Sequence, residues 1–143
     1  MKSVRHFGIV TNDIEKSLHF YRDLLGLKIK REMQEEGKFI SKILGLENVR
    51  VRTVKMAAKN GDALIELLEY ESHQGKKREN YKIFDLGVSH VAFTVDNIDE
   101  EYERLKKEEV VFISAPQVSP DGKAKVAFCW DPNEVPVELV EEL

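Results

Sequence analysis

Apolar positions along the chain follow two alternating periods. Residues 7–10 form a short apolar block that suits a strand. From Ile14 the apolar positions recur at Leu18, Tyr21 and Leu25, the i, i+4, i+7, i+11 spacing that lines one face of a helix. Asn12 stands ahead of this stripe as a capping residue with Glu15 three positions on, and Gly26 closes it. A second strand is predicted from Leu27, a third over residues 50–57 and a fourth over residues 63–68, with Asn60-Gly61 as the turn between the last two. Phe39, Ile40, Ile43 and Leu44, just before Gly45, predict a short amphipathic helix laid over one face.

The same order then recurs. Set at an offset of 84 residues, His6 falls on His90, Asn12 on Asp96, Ile14 on Ile98, Leu18 on Tyr102, Tyr21 on Leu105 and Ile29 on Ile113. Asp96 with Asp99 repeats the cap, and a second strand is predicted from Val110. Near the ends of the two halves the offset is 72, placing Glu66 on Glu138 inside matching apolar strands. The twelve-residue difference is taken up within residues 32–48 of the first half. Residues 124–130 supply the third strand of the second half, with Asp121-Gly122 as a turn. The pattern predicts two βαβββ modules, about 1–70 and 86–143, joined by a polar linker over residues 71–82. The fold class is α+β, and 143 residues fit one domain spanning 1–143.

Composition narrows the function. With 22 basic against 26 acidic residues the net charge is -4, which gives no general attraction to nucleic acid or to anionic membrane. No apolar run reaches the roughly 18–20 residues of a membrane helix, and the opening MKSVRHFGIV lacks a signal-peptide pattern, so a cytoplasmic protein is expected. Cys129 is the single cysteine, which excludes an internal disulfide and a thiolate zinc site. Beside Phe128 and Trp130 it reads as a packing residue. Any metal must be held by nitrogen and oxygen.

Glu66 and Glu138 each sit between apolar neighbours in a strand, where alternation buries one face. An isolated buried carboxylate is costly, and a divalent cation would supply the missing charge. With His6 and His90 they make a nitrogen and oxygen set suited to zinc, nickel, cobalt or iron, and by its carboxylates to manganese or magnesium. The repeat is what lifts them above a lone histidine or a solubilising strand glutamate. His19 and His73 read as solvated, and Glu69 and Glu141, on the opposite strand face from Glu66 and Glu138, as surface groups. Arg50 and Arg52 are weaker candidates to receive a substrate carboxylate or phosphate, and Phe39 to line a lid with Ile43 and Leu44.

Three stretches carry a family resemblance: DIEKSLHFYRDLLGL from Asp13, SHVAFTVDNIDE from Ser89, and the closing DPNEVPVEL from Asp131, close to a "DP.G..iEL" ending. They resemble the vicinal oxygen chelate superfamily of glyoxalases, epimerases, extradiol dioxygenases and antibiotic resistance proteins. The resemblance implies two βαβββ modules forming a curved mixed-sheet cup with helices outside and a metal inside. It puts the ligands at His6, Glu66, His90 and Glu138, a set most similar to glyoxalase I. The Leu67 to Ser72 stretch has no Asn-Trp-Gly, common after this glutamate in bacterial glyoxalase I, and Glu66 and Ser89 stand where epimerases usually carry Gln and His. The implied activity is a metal-dependent lyase or isomerase acting on a small-molecule carbonyl compound, with Glu138 or Glu66 moving the proton, and the implied assembly is a homodimer. The alternatives are a non-catalytic drug- or metabolite-binding protein and a metal-dependent dioxygenase.

Overall fold

The computed structural model describes residues 1–77 and 79–143; of the segment read as a linker, Arg78 lies outside the described residues. The chain divides into two compact units, Met1–Lys77 and Arg78–Leu143, and the division falls inside that polar segment.

In the first unit the elements are β1 (His6–Thr11), α1 (Ile14–Leu18, continued by a π-helical segment His19–Leu24), β2 (Lys28–Glu36), α2 (Lys38–Leu44), β3 (Arg50–Ala57) and β4 (Leu64–Tyr70). The sheet order is β1-β4-β3-β2, with β1 parallel to β4 and the other pairs antiparallel. The second unit repeats this with β5 (Val91–Thr94), α3 (Ile98–Lys107), β6 (Gln117–Val118), β7 (Ala124–Trp130) and β8 (Pro136–Glu142), in the order β5-β8-β7-β6. Each is a βαβββ module, and the fold is α+β. The parallel pairing is forced by the helix, which carries the chain across one face before it returns.

Burial follows the predicted stripes. Ile14, Leu18 and Tyr21 are 2% exposed or less, as are Ile98 and Leu105. They cover alternate strand residues such as Met56 and Leu67 in the first module and Cys129 and Leu139 in the second, all nearly or fully enclosed. Each such side chain contributes about 1.5–3 kcal/mol of burial. The π turn, in which Leu25 N donates to Phe20 O at 2.9 Å, also turns Phe20 inward to 3% exposure. Gly26 ends this helix at a φ of 74°. The short helix α2 packs through Ile40 with Val51, Leu68 and Tyr70, while Phe39, Ile43 and Leu44 remain exposed.

Three local expectations are corrected. The caps are Asp13 and Asn97, each one residue later than predicted: Asp13 accepts from Lys16 N, and Asn97 from Asp99 N and Glu100 N. Asn12 instead ties down the polar segment, its amide donating to Gly75 O at 2.8 Å and accepting from Gly75 N at 3.2 Å. Glu69 and Glu141 are not simple surface groups. Each reaches across from the last strand of its module to the first helical amide, Ile14 N at 3.1 Å and Ile98 N at 2.8 Å. Those amides have no partner within the helix, and a carboxylate also favours the positive helix end. Finally, the second strand of module two is broken into a lone bridge, Phe112 to Cys129, and the two-residue β6. Pro116 and Pro120 flank β6 and cannot donate to a ladder.

Candidate metal centre

The parallel pairing of β1 with β4 sets Gly8 opposite Glu66, and His6, two residues earlier, shares that strand face. The His6 imidazole meets Glu66, Nε2 to Oε2, at 2.9 Å. In module two Ala92 lies opposite Glu138, and His90 Nε2 meets Glu138 Oε2 at 3.1 Å. The register thus builds the same histidine–glutamate contact twice. The structure brings the four predicted ligands together as two pairs, and within each module no third His, Cys, Asp or Glu among the described residues joins the pair.

The donor chemistry fits a divalent ion. Two ligands each about 2.1 Å from one ion at right angles stand about 3 Å apart, which is the separation in both pairs. The same separation is that of a charge-assisted hydrogen bond, by which each pair is satisfied on its own.

The two surroundings differ. Glu66 is the more enclosed, with 9% side-chain exposure against 20% for Glu138. Its other oxygen, Oε1, meets Lys55 Nζ at 3.1 Å, because β3 places Lys55 directly opposite. In module two Phe128 occupies that opposite position and sets its ring edge-on to His90, with centroids 5.3 Å apart. The far imidazole nitrogens differ too. His90 Nδ1 lies 2.6 Å from Ser89 Oγ, whereas His6 Nδ1 is buried and without a hydrogen-bond partner among the described residues. Farther along the Glu66 face, burial pushes the Tyr70 hydroxyl's pKa up, and Glu66 and Glu35 add to the shift.

The proposed substrate groups lie elsewhere. Arg52 pairs with Glu69 in the register, so it faces the helix side of the sheet, opposite to Glu66. There it is held by Glu15 and Glu32 at 2.8 and 2.7 Å, and these carboxylates raise its already high pKa. Arg50, two residues earlier on the same face, points toward Glu71 at 3.8 Å. Strand parity thus turns both arginines to the face away from Glu66, and the weaker of their two readings, as substrate groups beside Glu66, loses support. Phe39 is 73% exposed. Sequence reasoning missed Lys55. The signal was available, since Thr53 and Lys55 interrupt the apolar positions of β3 on the face away from Met56. Cys129 is buried and its thiol is pushed up to about 12, chiefly by loss of solvent, which makes it a packing group.

Likeness to known proteins runs along the whole chain. A lactoylglutathione lyase of Neisseria meningitidis is 27% identical over 96% of this chain and 88% of its own length. One from Schizosaccharomyces pombe is 28% identical over 97% of this chain, which spans 47%, about half, of that protein. A solved glyoxalase family protein from Bacillus cereus shares the fold with a TM-score of 0.90 at 22% identity, covering 100% of this chain and 95% of that one. Residues 3–139 match the family model, and the chain belongs to the Glyoxalase/Bleomycin resistance protein/Dioxygenase superfamily.

Proposed function

We propose that His6, Glu66, His90 and Glu138 are ligands to a divalent ion, zinc, nickel, cobalt, manganese, magnesium or iron, and that residues 1–143 are one domain. The protein would be a glyoxalase-type lyase or isomerase that moves a proton on the carbon beside a carbonyl or thioester. The observation that carries this reading is the same imidazole–carboxylate contact, 2.9 and 3.1 Å, at matching register positions in both modules. The lactoylglutathione lyases among the relatives support the lyase branch. When bound, such an ion supplies a Lewis acid for the substrate's carbonyl oxygen.

The chain's own groups divide the remaining work. Glu66, gripped by both His6 and Lys55, serves as a fixed ligand. Glu138 is more open, and His90 is its one ionic partner among the described residues, so it is the group that takes the proton from carbon and returns it. A small-molecule substrate and a homodimeric assembly accompany this reading.

The test is solvent exchange. Metal-loaded protein in heavy water is incubated with hemithioacetals and with 2-methyl-branched acyl thioesters, and deuterium uptake is followed. Uptake that disappears in Glu138→Gln at saturating metal supports the proton-shuttle reading. No uptake by the unaltered protein from either class would sink it and favour a binding protein without turnover.

A further inference from the structure

Glu66 has a basic side chain against each of its two oxygens. Lys55 Nζ stands 3.1 Å from Oε1, while His6 holds Oε2 at 2.9 Å. The ammonium is itself largely covered, with 23% side-chain exposure, so its attraction to the carboxylate is less screened than that of a surface pair. In the other module Phe128 fills the equivalent place opposite Glu138. A buried carboxylate needs a cation, and in module one the fold supplies it before any metal arrives.

We propose that Lys55 is an internal competitor for the divalent ion, setting the metal affinity of the site below what its ligands alone would give. The proposal rests on the reading that Glu66 is a metal ligand. Without an ion, the Lys55 side chain holds Glu66 in place. With an ion, the carboxylate is shared between two cations that repel each other across it. Lys55 therefore strengthens the metal-free protein and weakens its hold on metal. A lysine with a merely structural role would, when removed, weaken both.

The experiment measures two quantities on the full chain: the melting temperature without metal, and the affinity for Zn(II) and Ni(II) by competition with a chromophoric chelator. For Lys55→Met the melting temperature falls while metal binding tightens about tenfold, a factor set by one close charge interaction. Lys55→Arg, which keeps the charge, stays within about twofold of the unaltered protein. Lys55→Gln repeats the test if the Met variant does not fold. The reciprocal Phe128→Lys, which places a cation opposite Glu138, loosens metal binding by a similar factor. Metal binding that is unchanged or weaker in both Lys55→Met and Lys55→Gln overturns the proposal while leaving the metal reading intact. Absence of metal binding in every variant, with His6→Ala no different from the unaltered chain, overturns both.

Discussion

The two modules share a backbone plan and differ in what surrounds the carboxylate each presents. In module one Glu66 sits between His6 and Lys55, and the far nitrogen of His6 has no partner among the described residues. In module two Glu138 meets His90 alone among the described residues, and that imidazole is steadied by Ser89 behind and the Phe128 edge beside it. Register is what the halves have in common, because pairing of the first and last strands fixes the histidine against the glutamate. The position opposite the glutamate is free to change, since Lys55 and Phe128 both fit a half-covered strand face. The difference leaves one carboxylate held on both oxygens and the other, among the described residues, on one.

The largest expected effect falls on the two histidine–glutamate pairs themselves. His6→Ala, Glu66→Gln, His90→Ala and Glu138→Gln should each cost more than about 100-fold in Zn(II) affinity, beyond the 10–100-fold of losing an outer partner. Chelator competition reads this directly, and losses confined to one module's residues would break the comparison.

Next comes the packing under each helix. Leu18→Ala and Leu105→Ala, both at fully enclosed positions, should each cost about 2–5 kcal/mol in urea unfolding. A cost near zero in either would mean that its helix is not seated as its counterpart is.

The glutamates that reach back to the helix starts make a smaller and sharper test. Glu69→Ala and Glu141→Ala each leave a first-turn amide unpaired and should cost about 1–2 kcal/mol. Equal losses would show that this tie is part of the duplicated plan.

Those glutamates also mark what could be read from the chain and what could not. The strand–helix periods, the insertion ahead of β3 and both histidine–glutamate pairs were legible, because burial writes itself as spacing and the repeat doubles each signal. Glu69 and Glu141 were misjudged because alternation tells only which face a residue takes, not which amide waits there. The face taken by the arginines was left open and Lys55 was overlooked for a related reason. Which face of β3 belongs to the site depends on its pairing with β4, and Arg50, Arg52 and Lys55 look alike as charges on a mixed strand. The caps moved by one residue because the Asp13 and Asn97 side chains reach the helical amides, leaving Asn12 to bind Gly75.

A finer contrast lies in those caps. The Asp13 carboxyl is held below the usual carboxylate range, first by the Lys16 backbone amide, whereas Asn97 does not ionise. A depressed folded-state pKa means that the cap stabilises above the unfolded value of about 4 and fades as pH falls through the folded one. Asp13→Asn should remove that acid-sensitive component from module one, and Asn97→Asp should introduce one into module two, read as melting temperature against pH. Smallest of all is the effect expected at Cys129. Its buried thiol should resist alkylation at pH 8 until the protein unfolds.

The duplicated histidine–glutamate pair is the feature that most needs a direct test as a metal ligand set. The most direct measurement is elemental analysis of the purified protein after equilibration with Zn(II) and removal of excess. The expected result is Zn(II) retained by the unaltered chain and lost on Glu66→Gln and on Glu138→Gln. No Zn(II) on the unaltered chain, or full retention in both variants, would contradict it.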